Sequence, residues 1–196
     1  MFEDRLTAFA DRHLGGRPVP ADLRVMLLAQ WEARTDFRDL LDLQFLEPDQ
    51  LNPLLDTGYL RPEELADPDM QAVNAGAAAT AEYAKLIAEG GKGWIGYWFH
   101  PDQPADEPVP LLELDTEFTF WSLAGRTLAE ACAVEAVQYE DDKRAAFTRL
   151  AARLAALGLP LDADDYDAVP EPEFTVDPGT LMEELMDAER EKRGLI

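Results

Sequence analysis

Six consecutive residues, Trp94-Ile95-Gly96-Tyr97-Trp98-Phe99, are apolar or aromatic on both parities, with one glycine among them. Side chains alternate across a strand, so a strand written this way buries both of its faces. It belongs inside a sheet that is covered on each side, and the rest of the chain offers helices as the cover. In residues 2–14, Phe2, Leu6, Phe9 and Ala10 recur at helical spacing until Gly15, Gly16 and Pro18 stop the pattern. A second helix is expected from Ala21 to about Arg34, with Leu23, Met26, Leu27 and Trp31 as its apolar stripe. Residues 36–66 hold short apolar clusters broken by Pro48, Pro53, Gly58 and Pro62, and read as helical turns and loops.

Asp67-Pro68 pairs a capping oxygen with a proline at the first turn, which starts a helix. This helix is expected to run to about Ala88. Its small-sided middle, Ala75-Gly76-Ala77-Ala78-Ala79, allows another backbone to come close, and the helix is expected to lie flat on the sheet. Glu89 to Gly93 then makes a helix-to-strand turn. Beyond the 94–99 strand, Pro101 to Pro108 is a polar loop. Val109 to Phe120 reads as one or two further strands, turning at Asp115-Thr116-Glu117. Thr127 and Glu130 have the spacing of a capping box for a helix from Leu128 to about Val137. Asp141 to Leu157 is an amphipathic helix with Phe147, Leu150, Leu154 and Leu157 on one stripe, ended by Gly158 and Pro160. Asp177-Pro178 opens a last helix to about Arg193. The expected fold class is α+β: a central, mainly antiparallel sheet flanked by helices, with a helical N-terminal region and a helical C-terminal extension. Residues 1–160 read as one domain. Residues 161–196 read as an acidic linker plus a helix packed on that domain or extending from it.

Charge excludes several function classes. The 196 residues carry 40 Asp or Glu against 17 Lys or Arg, a net charge of −23. Nucleic acid and anionic membrane would both be repelled, whereas a basic protein would be attracted. Hydrophobic residues at 47% are ample for a core. A lone cysteine, Cys132, forms no intrachain disulfide. The opening MFEDRLTAFADRHL lacks an apolar signal-peptide core, and no run of about 18 apolar residues occurs. A soluble, cytoplasmic protein is expected.

Catalytic patterns are incomplete. Gly90-Gly91-Lys92-Gly93 lacks the Ser or Thr and the strand-loop-helix order of a phosphate loop. Asp162 to Glu173 resembles a calcium loop in outline, but Tyr166 and Asp167 stand where a ligand and a glycine are needed. His13 and His100 have no zinc spacing, so no metal and no cofactor is expected. Ser122, the single serine, lacks a nucleophile elbow, and its combination with His100 in a triad is only formal. Cys132 sits on an apolar helix as a buried thiol. Glu113, Asp115 and Glu117 alternate and could share a strand face, which would pair carboxylates for acid–base work. Trp94, Trp98, Phe99, Phe118, Phe120 and Trp121 read as core, with one or two available to a partner-binding patch. From Asp162 to Glu191 there are 12 acids and one basic residue, Arg190. The candidate partner-binding residues are therefore Asp162, Asp164, Asp165, Asp167, Glu171 and Glu173, with Glu183, Glu184 and Asp187 on the last helix.

Three segments together resemble the SUKH superfamily: Gly91-Lys92-Gly93-Trp94-Ile95-Gly96-Tyr97-Trp98, then Glu107-Pro108-Val109-Pro110-Leu111-Leu112-Glu113-Leu114-Asp115, then Phe120 to Ala131. The similarity spans roughly residues 85–135. It implies an α+β fold with a helix-flanked sheet, and a non-enzymatic protein-binding role with no shared catalytic residues. Many bacterial members are immunity proteins that bind and neutralise a toxin domain, often a nuclease. The leading expectation is such an inhibitor of a basic toxin domain. A general regulatory or scaffolding module of the same fold comes second, and an enzyme using paired carboxylates third.

Overall fold

The computed structural model describes residues 2–104 and 107–196; Ala105 and Asp106, within the expected 101–108 loop, lie outside the described residues, as does Met1. Helices α1 (Phe2–His13), α2 (Ala21–Trp31) and α3 (Asp36–Leu41) come first, followed by strand β1 (Gln44–Phe45) and helices α4 (Pro62–Leu65) and α5 (Pro68–Thr80). Strands β2 (Ala84–Glu89), β3 (Gly93–Trp98), β4 (Leu111–Asp115) and β5 (Phe120–Leu123) then run in succession. Helices α6 (Leu128–Val137), α7 (Lys143–Ala156) and α8 (Pro178–Arg193) complete the chain. The five strands form one sheet in sequence order, every neighbouring pair antiparallel. The fold is α+β, with helices flanking the sheet.

The apolar run becomes the middle strand, as its two-sided pattern requires. Ile95 and Tyr97 face a core shared with α1, α2, α3, α6 and α7, where Phe9, Leu27, Phe147 and Leu154 are wholly buried. Trp98 faces the other way. It joins Leu86, Leu112 and Leu114 in a second core that α5 and α8 cover. Trp94 is only partly buried on that side.

Caps fall where the sequence puts them. The Asp67 carboxylate accepts from the amides of Asp69 and Met70, the Thr127 hydroxyl from Glu130, and the Asp177 carboxylate from Thr180. The box at α6 closes one residue early, because Glu130 Oε2 accepts from the amide of Arg126 at 2.8 Å. Its other oxygen accepts from Ala163 at 2.7 Å, which pins the 158–169 segment to the first face.

Three expectations need correction. Helix α5 ends at Thr80, and residues 84–88, expected as its C-terminal turns, join Glu89 in forming β2. The Ala-rich composition favours helix locally, but pairing with β3 over Ala84–Glu89 satisfies the backbone and buries Leu86 and Ile87 on opposite faces. Gly90 to Gly93 is therefore a strand-to-strand turn, closed by Gly90 N–H donating to the Gly93 carbonyl at 2.7 Å. Helix α2 stops at Trp31, and Ala33 takes a φ of 60°. Strand β1 lies in the region expected to hold only turns and loops. Gln30 covers its outer edge, donating to the Phe45 carbonyl at 2.9 Å and accepting from the Phe45 amide at 2.8 Å.

The opposite edge, β5, is covered by the segment that carries the chain from one face of the sheet to the other. Gly125 N–H donates to the Pro170 carbonyl at 2.8 Å, Ser122 Oγ to Pro172 at 3.0 Å, and Gln103 Nε2 to Glu173 at 3.3 Å. Among the described residues no helix is long and apolar enough to cross a membrane.

Candidate functional site

All nine acids singled out in the C-terminal region are exposed, yet they do not form one surface. Asp162, Asp164, Asp165 and Asp167 lie on a segment whose Leu161, Ala163, Tyr166 and Val169 pack on the first core. Glu171 and Glu173 sit on the crossing beside β5. Glu183, Glu184 and Asp187 are on α8, whose Met182 belongs to the second core. Some are already engaged. Asp165 accepts from the Asp167 amide at 2.9 Å, Asp167 pairs with Arg144, and Asp187 meets Arg190 at 2.9 Å.

The tip of the β4–β5 hairpin has more of the character of a binding site. Asp115 organises it. One carboxylate oxygen accepts from the amides of Glu117 at 2.8 Å and Thr119 at 2.9 Å, and the other from the Trp121 indole at 2.9 Å. The Trp121 and Thr119 bonds hold the Asp115 carboxyl below its usual pKa, so it stays ionised. This turn forces Phe118 to a φ of 63°, the left-handed region that disfavours a bulky side chain. The Phe118 ring is 46% exposed and Trp121 is 56% exposed. Phe118 borders a groove of about 410 Å³ that also takes in Leu51, Tyr59, Trp94 and Leu114. Tyr59 is 65% exposed. Asp56 and Asp115 supply the groove's charge, with Glu117 exposed at the turn. The expectation that Phe118 and Trp121 are core is thus corrected. The alternation in Phe120-Trp121-Ser122-Leu123 carried a signal, since Phe120 and Trp121 must point to opposite faces. Nothing in the sequence signals a positive φ at Phe118.

Glu113, Asp115 and Glu117 do not converge. Asp115 is committed to the turn, and Glu117 lies in it. Glu113 lies within the strand, 5% exposed, opposite Ile95 on one side and Trp121 on the other. Burial, and next the Glu135 charge, push its pKa up. Lys92 opposes that shift and meets Glu135 at 2.7 Å, and Gln138 donates to the same oxygen at 2.6 Å. These groups line a cavity of about 380 Å³ at the α6 end of the sheet. Glu113 can hold or release a proton there, but the Glu135 charge is neutralised by Lys92 rather than paired with Glu113. Cys132 lines the same cavity, where burial pushes its thiol far up and leaves it inert.

The remaining candidates have structural roles. Ser122 donates to the Pro172 carbonyl, while His100 lies against the rings of Trp98 and Tyr83, and the two make no dyad. His13 is buried, its Nε2 donating to the Glu47 carbonyl at 2.8 Å. Among the described residues no three His, Cys, Asp or Glu side chains converge on a metal position. No protein-family model matches the chain, and neither does any curated protein or solved structure.

Proposed function

We propose that this chain is a non-enzymatic, cytoplasmic protein-binding module that docks a basic partner through the β4–β5 hairpin tip. The observation that carries this reading is Phe118, held at positive φ with its ring exposed next to an apolar groove and across the turn from Trp121. A strained backbone that presents an aromatic ring serves recognition better than stability. The net charge of −23 supplies long-range attraction to a basic surface, and the dispersed C-terminal acids contribute to that field rather than to one contact. The SUKH resemblance gives the specific form: an immunity-type inhibitor of a toxin domain such as a nuclease. The test is to purify basic toxin domains encoded beside its gene and measure their activity with increasing amounts of this protein. Stoichiometric inhibition that the Phe118→Ala, Trp121→Ala double variant loses supports the reading. Tight binding without inhibition moves it to the regulatory or scaffolding form. Inhibition untouched by the double variant removes the tip from the interface.

A second reading rests on Glu113, whose raised pKa in a cavity beside Lys92 is the character of a general acid or base. It is weaker, because Glu135, the cavity carboxylate whose charge most raises the Glu113 pKa, is held by Lys92, and the other two acids of the lining, Asp39 and Asp42, are exposed at its rim.

A further inference from the structure

A cavity of about 700 Å³ opens on the first face of the sheet, between α2, β3 and the start of α6, with residues 158–160 along one side. It is separate from the hairpin tip and from the Glu113 cavity. Its walls are mainly apolar: Pro20, Val25, Phe99, Val109, Leu128 and Leu159. A space of this size and lining suits a small organic ligand, provided that a few polar groups orient it.

Such groups are present. Tyr97 lines the cavity at 5% exposure, and its buried hydroxyl has no hydrogen-bond partner. A buried donor left unpaired is costly to the fold, and a ligand oxygen would offset that cost. Burial and the Asp22 charge push the Tyr97 pKa well up, so the hydroxyl keeps its proton to donate. Arg17 and Arg126 also line the cavity, and among the described residues neither is in an ion pair. Arg17 is held in place: its guanidinium lies 4.2 Å above the Phe99 ring centroid and donates to the Leu14 carbonyl at 3.2 Å. Lys85, the cross-strand neighbour of Tyr97, adds a cation close to Arg17. Two acids line the cavity. Asp22 accepts from the Ala129 amide at 3.1 Å at the start of α6, and Asp162 is exposed. The Tyr97 and Phe99 rings lie 5.7 Å apart and 28° from parallel, stacked against each other in the cavity wall.

We propose that this cavity binds a small aryl carboxylate: the ring lies against Phe99 and the apolar walls, the carboxylate meets Arg17 and Arg126, and a second oxygen accepts from Tyr97. Guanidinium is suited to planar carboxylates, and here one of the two is positioned before the ligand arrives.

Titration calorimetry on the full chain tests this with three probes: para-coumarate, cinnamate (no hydroxyl) and para-coumaramide (no charge). Para-coumarate is expected to bind saturably, one per chain, and the amide about tenfold more weakly or worse. The Arg17→Ala, Arg126→Ala double variant brings para-coumarate down to the level of the amide. Tyr97→Phe removes one oxygen and brings para-coumarate to the level of cinnamate, whose own affinity does not change. Val109→Trp, at a residue 37% exposed on the wall, blocks all three probes. Circular dichroism confirms that each variant is folded, and if Val109→Trp is not, the arginine and tyrosine variants decide. No saturable binding by any probe, equal binding of acid and amide, or binding that survives a folded Val109→Trp variant overturns the proposal.

Discussion

Gly76 on α5 faces the backbone of Met186 on α8 with no room for a side chain. A Cβ on Gly76 would stand 2.9 Å from the Met186 amide nitrogen and 3.0 Å from its Cα. The small residues in the middle of α5 do permit a close approach, but the backbone they admit is that of α8 rather than a strand. Gly76→Ala gains helix propensity on its own element and loses this contact, and the contact wins. The variant is expected to lose about 1–3 kcal/mol in urea unfolding. Since two of the three nearest atoms are backbone, adding Met186→Ala does not restore the loss. Full restoration would show that the contact is a side-chain one.

Trp98 and Trp121 lie on the same sheet with opposite fates, and truncation separates them. Trp98 is wholly buried in the second core against Tyr83, His100 and Phe174. Trp98→Ala is expected to cost about 3–5 kcal/mol. Trp121 is 56% exposed and anchored by its indole N–H, so Trp121→Ala is expected to cost about 1 kcal/mol or less. Equal losses in chemical unfolding would mean that the two faces of the sheet are misassigned.

Elements whose signal is local were legible in the sequence. The caps at Asp67, Thr127 and Asp177 and the two-sided run of β3 depend on neighbours a few residues away. Strand β2 was not legible, because Ala84-Lys85-Leu86-Ile87-Ala88 suits either state and only pairing with β3 decides between them. Strand β1 is two residues long and is completed from outside by Gln30. For the candidate site, the acids were visible but their separation was not. The crossing of residues 170–175 from one face to the other is held by Ser122, Gln103 and Gly125, which are distant in sequence. The Tyr97 hydroxyl was hidden inside a run that reads as pure core.

Glu113 gives a pH dependence of definite sign. Its folded pKa lies above the usual 4.5, so its ionisation opposes folding. The contribution favours the fold below pH 4.5, where folded and unfolded chains are both protonated, and is lost as pH rises through the folded value. Glu113→Gln is therefore expected to raise the melting temperature at pH 7, and the gain should shrink to nothing below pH 4.5. A gain that persists unchanged in acid would come from packing rather than charge. A loss at neutral pH would mean that the Lys92 attraction outweighs burial.

Phe118 ties stability and recognition together in one dihedral angle. Its left-handed φ of 63° is set by the Asp115 turn, so any β-carbon there is disfavoured and glycine is not. Phe118→Ala and Phe118→Gly both remove the ring, and only the second relieves the backbone. The glycine variant is therefore expected to be more stable than the alanine variant by about 1 kcal/mol. Elsewhere on a strand the order would reverse, because glycine loses more freedom on folding. Both variants are expected to lose affinity for the basic partner to the same degree, mainly through faster dissociation, because the ring is a contact and not a source of steering. Charge reversal at Asp162, Asp164 and Asp165 is expected to do the opposite: it slows association, flattens the salt dependence and leaves dissociation nearly unchanged. Stopped-flow measurements at several salt concentrations separate the two. If the Phe118 variants changed only the association rate, the tip would be part of the general field and the anchoring contact would lie elsewhere.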